Sequence, residues 1–194
     1  IERVKNINKE NFSNFVKRKY NFDIDPNSIF DVQIKRIHEY KRQLLNALNI
    51  LLLYHKILRE PDFKIQPTTF IFGGKAASSY YRAKKVIKFI NSLAYHINSD
   101  PRVNGKIRIF YIPNYNVSLA EMLIPATNVS EQISTATKEA SGTSNMKFML
   151  NGAITLATLD GANIEIKDQV GDDNIVIFGL NKQEVLDLQS GAVH

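Results

Sequence analysis

Residues 29–74 read IFDVQIKRIHEYKRQLLNALNILLLYHKILREPDFKIQPTTFIFGG, and the reading of this stretch decides the fold. Its first part, Ile29 to Ile37, alternates apolar Phe30, Val32 and Ile34 with polar neighbours, as a strand does. A helix is expected from about Tyr40 to Leu58. There Leu44, Leu48, Leu51, Leu52 and Leu58 fall near a 3.6-residue period, and Pro61 supplies a stop. The density of Leu and Ile predicts burial between layers. Pro67 to Phe72 is a continuously apolar strand that closes on Gly73-Gly74. Strand, helix and a second strand apolar on both faces is the pattern of a parallel sheet with helices on its faces.

The alternation continues outward. Asn8 to Tyr20 has Phe12, Phe15 and Val16 at helical spacing, and Asp23 to Asn27 is a turn. A second helix is expected over Ser79 to Ile97, with a basic outer face at Arg82, Lys84, Lys85 and Lys88. Asp100-Pro101 and Asn104-Gly105 mark a turn. Further strands are expected at Lys106 to Ile112, Val129 to Ser134, Ala153 to Thr158 and Ile175 to Phe178. Short helices are expected at Ser118 to Ile124, opened by a Ser118–Glu121 capping box, and at Asn145 to Leu150. Gly161 to Ile166 reads as a turn or short helix. The expectation is an α/β fold: a Rossmann-like, doubly wound, mostly parallel sheet forming a single domain fragment over residues 1–194. Such sheets bind ligands beyond the carboxyl ends of their strands. The segments to inspect are therefore 35–41, 73–79, 113–118, 134–147 and 158–163.

Composition sets the outer limits. The 194 residues are 44% hydrophobic and 23% charged, which argues against a wholly disordered chain. No apolar run approaches the roughly 20 residues of a membrane-spanning helix. Leu44 to Tyr54 is interrupted by Asn46 and Asn49, and no apolar h-region of a secretory signal follows Ile1-Glu2-Arg3. With no Cys, disulfides, thiol catalysis and thiolate metal sites are excluded, and a reducing cytoplasm is compatible. His38, His55, His96 and His194 show no HxxxH or HExxH spacing, so no metal site is expected. GxSxG, GxGxxG and P-loop spacings are absent. Net charge is +6, with 18 Lys and Arg against 8 Asp and Glu in residues 1–97, and 7 against 11 in residues 98–194. A basic half suits an anionic partner, or is a solvated face. No nucleic-acid-binding module is recognisable, which leaves a polyanion-binding module as an alternative supported by charge alone.

Three turns are candidates for chemistry. Gly73-Gly74-Lys75-Ala76 reads as a tight strand-to-helix turn with no ligand. Lys35-Arg36-Ile37-His38-Glu39-Tyr40-Lys41-Arg42 gathers four cations and an imidazole where a strand enters a helix. Cations at a helix start oppose its dipole unless an anion neutralises them, which argues for a phosphate site, the alternative being that several of them are merely exposed. In Glu139-Ala140-Ser141-Gly142-Thr143-Ser144-Asn145-Met146-Lys147, the amides of Gly142, Thr143 and Ser144 read as a phosphate cradle at a helix start or as an ordinary N-cap. Lys147, in an apolar stretch, reads either as a partly desolvated amine suited to a Schiff base or as a snorkelling lysine.

At these segments the sequence closely resembles the α-glucan phosphorylases, also called glycogen, starch or maltodextrin phosphorylases. The motifs, in the family's order, are Phe30 to Gln43, Gly73 to Ala76, Pro113-Asn114-Tyr115, Glu139 to Phe148, and Thr158-Leu159-Asp160-Gly161-Ala162-Asn163. The resemblance covers nearly the whole chain. It implies one half of a GT-B glycosyltransferase, a fragment of the C-terminal domain, with the opposite Rossmann-like domain absent and the fragment inactive alone. It implies pyridoxal 5'-phosphate as a Schiff base on Lys147, and phosphorolysis of terminal α-1,4 bonds of an α-glucan by orthophosphate to give glucose 1-phosphate. Lys35 then matches a cofactor-phosphate contact, and Arg36 and Lys41 match substrate-phosphate contacts. Tyr40, Glu139, Ser141 and Gly142 match contacts to the glucosyl unit. Gly142, Thr143 and Ser144 match the loop holding the cofactor phosphate, and Tyr115 the cofactor pocket. His38 is expected to act structurally. Ser144 stands where many members carry Gly, and Asn116 where some carry Arg. The resemblance also implies a cytoplasmic homodimer with no nucleic acid and no membrane partner. A nucleotide-sugar GT-B glycosyltransferase is the enzymatic alternative, against which the Lys147 loop argues.

Overall fold

The computed structural model describes residues 2–60 and 62–191. Pro61 and His194, read above as a helix stop and as one of the scattered histidines, lie outside the described residues. In chain order the elements are α1 (Glu2–Tyr20), β1 (Ile29–Ile34), α2 (Gln43–Arg59), β2 (Thr68–Gly73), α3 (Tyr81–Asn98), β3 (Ile107–Ile112) and α4 (Val117–Ala126). They continue as β4 (Val129–Gln132), α5 (Ser144–Leu150), β5 (Ile154–Ala157), α6 (Asn163–Val170), β6 (Val176–Ile177) and α7 (Lys182–Ser190). Every strand pairing is parallel. The six strands lie in the order β3-β2-β1-β4-β5-β6. The chain winds from β1 to the β3 edge and returns to lay β4 against the free side of β1. That reversal is the topological switch point of a Rossmann-like, doubly wound sheet.

Side chains of one strand serve both faces, because successive residues point opposite ways. Ile71 of β2 joins Phe12 and Val16 of α1 and Leu119, Leu123 and Ala126 of α4 in one core layer. Its neighbours Phe70 and Phe72 join Ala47, Ile50, Tyr54 and Ile57 of α2 and Ile90, Leu93 and Ile97 of α3 in the other. The continuously apolar reading of residues 67–72 is thus explained by burial on both faces. Among the described residues no helix is long and apolar enough to cross a membrane.

Four local expectations change. The helix expected from Tyr40 is two pieces: a 3-10 turn at Glu39–Lys41, then α2, separated by Arg42 at φ 60°. The buried stripe of α2 runs through Ala47, Ile50, Tyr54 and Ile57, while Leu44, Leu48 and Leu52 stay exposed. Leucines lie on more than one side of α2, so leucine spacing alone does not choose its inward face. The Ser118–Glu121 capping box does not form, because Asn116 caps α4 and its Oδ1 accepts from the Leu119 amide at 3.2 Å. Asn and Ser are comparable caps, and the one that reaches the amide decides the start. Finally, α7 was not anticipated, although Asn181 and Glu184 form a reciprocal capping box at its start.

Candidate functional site

The first wall is the chain leaving β1. Lys35 N donates to Gly73 O at 3.0 Å and Ile37 N to Lys75 O at 3.1 Å, so β1 tracks the chain after β2 beyond the strand ends. Gly74, at φ 144°, makes this possible: a Cβ there would lie 1.8 Å from the Lys35 carbonyl oxygen. The turn of Gly73 to Ala76 therefore serves close backbone packing, as its sequence suggested. His38 Nδ1 accepts from Tyr40 N at 3.3 Å and caps the 3-10 turn. Gln33 Nε2 donates to Lys41 O at 3.1 Å, and Gln43 Nε2 to Arg36 O at 3.0 Å. The basic segment is thus clamped from β1 and from the start of α2. Lys35, Arg36, Tyr40 and Lys41 line one crevice of about 560 Å³. Arg42 does not: its Nε donates to Ile133 O at 2.6 Å and its guanidinium lies 5.9 Å from the Phe178 ring centroid.

The second wall follows β4. Thr135 N donates to Tyr40 O at 2.8 Å, joining the two turns at the switch point. Lys41 Nζ lies 2.7 Å from Glu139 Oε2, which also accepts from Ser134 Oγ at 3.2 Å. Glu139, Gly142, Thr143, Ser144 and Lys147 reach the crevice. Thr143, at the start of α5, makes no side-chain cap bond. Among the described residues, the amides of Gly142, Thr143 and Ser144 donate to no protein acceptor. The third wall, from Tyr115 and α4, is largely apolar through Val117, Ala120 and Ile124.

Electrostatics follows from this packing. Burial, helped by Lys41, depresses Lys35 to about 8, although Glu139, Asp160 and Glu131 pull the other way. Burial acts to lower Lys41 as well, but its bonds to Glu139 and Tyr40 prevail and leave it raised. Glu139 is held below its usual value, because its bond to Lys41 outweighs its burial. Burial pushes Tyr115 up. Outside the crevice lining, parallel pairing sets Asp31 and Glu131 on one face of adjacent strands. Burial and their mutual repulsion raise Glu131, and burial raises Asp31, whose Oδ1 is buried without a partner.

Lys35, Arg36, Lys41 and Lys147 all face one space, together with Tyr40, Tyr115, Glu139 and the Gly142–Ser144 backbone. Ser141 lies outside this lining; its carbonyl accepts from Ala162 N at 2.8 Å. Lys147 is exposed rather than partly desolvated, since Asn145 and Phe148 are the residues α5 buries. Sequence reading missed Ser134, the α4 apolar wall, and Asp160, whose oxygens accept the Thr137 and Glu139 amides. Asp160 lies in the Thr158–Asn163 motif, which follows a strand, and that position was the signal available for it. A primary amine, unpaired amides, cations and an apolar wall are a donor set that fits an anionic aromatic group such as pyridoxal phosphate.

The family model for carbohydrate phosphorylases matches residues 1–194. The chain is 54% identical over 185 residues to "Glycogen phosphorylase, liver form" of Bos taurus, an alignment covering 95% of this chain and 22% of that protein. It is 53% identical over 189 residues to "Glycogen phosphorylase" of Pasteurella multocida, covering 97% and 23%. With "Glycogen phosphorylase, muscle form" of Mus musculus the identity is 53% over 185 residues, covering 95% and 22%. The chain therefore spans about a fifth of the length of these curated relatives.

Proposed function

The chain belongs to the carbohydrate phosphorylase family, and from that membership and the crevice we propose that it is part of an α-glucan phosphorylase. In this reading orthophosphate cleaves the terminal α-1,4 bond of a glucan such as glycogen and yields glucose 1-phosphate. The observation that carries it is the convergence of Lys35, Arg36 and Lys41, the unpaired Gly142–Ser144 amides and the Lys147 amine at one switch point.

Lys147 would hold pyridoxal phosphate through its ε-amine, with Tyr115 against the ring and Lys35 and the Gly142–Ser144 amides on its phosphate. When bound, that group supplies an acid–base phosphate beside the substrate phosphate. Arg36 and Lys41 take the substrate phosphate. Lys41 carries three donors, so its bond to Glu139 leaves it able to donate to the anion as well. Tyr40, Glu139 and the Gly142 backbone take hydroxyls of the glucosyl unit, while Ser141, outside the lining, keeps only its hold on the 158–163 turn. Preorganised cations and amides facing accumulating negative charge are the main contribution of this wall to rate. Residues 1–194 then form one half of a GT-B enzyme, within its C-terminal domain. Positioning and exclusion of water need both walls of the cleft, so this half alone turns over no substrate. The same reading carries a homodimer and a cytoplasmic location.

The test is phosphorolysis of a maltooligosaccharide by the full-length protein. Glucose 1-phosphate is expected from the native sequence and none above background from Lys147→Ala. Normal release by the variant would overturn the assignment of Lys147.

A further inference from the structure

We infer that Asp160 is a positioning residue for the anion-binding loop: from the 158–163 turn its carboxylate fixes the backbone that brings Glu139 to Lys41. The inference rests on the phosphate-binding reading of the crevice. Asp160 is buried, and its two oxygens divide their work. Oδ1 accepts from Thr137 N at 2.9 Å and Oδ2 from Glu139 N at 2.8 Å. Thr137 sits at φ 81°, a region an L-residue occupies only when its surroundings impose it. The carboxylate supplies that constraint on both sides of Lys138.

The grip extends along the loop. At Gly161, φ 53°, a Cβ would lie 2.6 Å from the Ser141 carbonyl oxygen. Ala162 N donates to that same oxygen at 2.8 Å. Asn163 Nδ2 donates to Gln132 O and Thr158 O, both at 3.1 Å, and its Oδ1 accepts from Asn145 Nδ2 at 3.0 Å. The turn thus holds residues 137, 139 and 141 of the loop and the first turn of α5, the segment that carries Glu139 and the unpaired amides. Asp160 makes no ion pair among the described residues, so its charge acts on the amides and, at longer range, on Lys35 and on Arg42, which lies outside the crevice. The groups facing Lys35 are Glu139, Asp160 and Glu131, which favour its charged form, and Lys41, which opposes it.

Two substitutions separate shape from charge. Asp160→Asn keeps the shape, but it removes the charge and turns one acceptor into a donor aimed at an amide. Gly161→Ala keeps the charge and displaces the loop. In the full-length protein, calorimetric titration with inorganic phosphate is expected to show roughly tenfold to hundredfold weaker binding for both, the scale of one charge-assisted hydrogen bond. The pH dependence distinguishes them. Lys35 lines the same crevice as Arg36 and Lys41, so its charge bears on any anion held there. Loss of phosphate binding with rising pH therefore moves to lower pH in Asp160→Asn, because Lys35 loses a neighbour that favours its charged form. In Gly161→Ala it stays in place. A merely structural role would weaken both variants without moving that limb. Native phosphate affinity in Asp160→Asn, or an unmoved limb, overturns the inference. If Asp160→Asn does not fold, native affinity in Gly161→Ala overturns it. Phosphate affinity is read without turnover. A protein that binds phosphate in this Asp160-dependent way yet forms no glucose 1-phosphate would overturn the proposed activity and leave this inference standing.

Discussion

The Lys41–Glu139 pair is the contact between the two walls whose strength is most open to measurement. Nζ and Oε2 are 2.7 Å apart, and the side chains are 14% and 18% exposed. Surface pairs contribute about 0–1 kcal/mol and removal of one partner from a fully buried pair costs about 3–5 kcal/mol. Partial exposure places this pair between them, at a coupling of about 1–2 kcal/mol after allowing for solvent screening. A double-mutant cycle of Lys41→Met, Glu139→Gln and both together, read by urea denaturation of the 194-residue chain, isolates the term. The pH dependence has a definite sign. Glu139 is depressed in the fold, so its share is present above the unfolded carboxylate value and is lost as pH falls through the folded one. Lys41 is raised, so its share is present below the unfolded lysine value and is lost as pH rises through the folded one. The coupling is therefore flat from about pH 5 to pH 10 and disappears in acid. A coupling below about 0.3 kcal/mol at pH 7, or one that survives complete protonation of Glu139, would refute the reasoning.

Two further outcomes follow from groups displaced by burial. Lys35, depressed to about 8, should lose its charge on mild alkalinisation, so sulfate, which does not titrate there, should bind more weakly above pH 8. Lys35→Met should abolish that dependence, and an unchanged limb in the variant would contradict it. Asp31 and Glu131 are both raised, so the folded state holds protons the unfolded chain has released. Their contribution falls as pH rises from the ordinary carboxylate range toward their raised values. The melting temperature of Glu131→Gln relative to the native chain should therefore climb with pH over that range, and a flat difference would remove the shared-burial argument.

The sheet was legible because burial leaves a local mark. Phe70, Ile71 and Phe72 are apolar in succession because two helical layers claim opposite faces of β2. The crevice was legible because its cations follow β1 directly and its amides lie on the connection between β4 and α5, where a doubly wound sheet places ligands. What stayed hidden depends on partners distant in sequence. Leu44, Leu48 and Leu52 look like a buried stripe, yet α2 turns Ala47, Ile50 and Tyr54 inward, a choice set by α3 and β2 rather than by leucine spacing. Arg42 looks like another phosphate ligand, but its left-handed backbone and the Ile133 carbonyl carry it away from the crevice. Asp160 reads as an ordinary turn residue until the Thr137 and Glu139 amides, 23 and 21 positions away, are seen on its oxygens. The α7 capping box at Asn181 and Glu184 is the exception, a local signal that was present and unread.

The function proposed for the switch-point crevice depends on Lys147, one of its lining residues, holding pyridoxal phosphate. The most direct measurement is incubation of the full-length protein with pyridoxal phosphate, borohydride reduction, and peptide mass mapping. One stoichiometric label is expected, on Lys147, lost in Lys147→Ala and weakened in Lys35→Met. Labelling spread over the exposed lysines of α3, or none on Lys147, would contradict it.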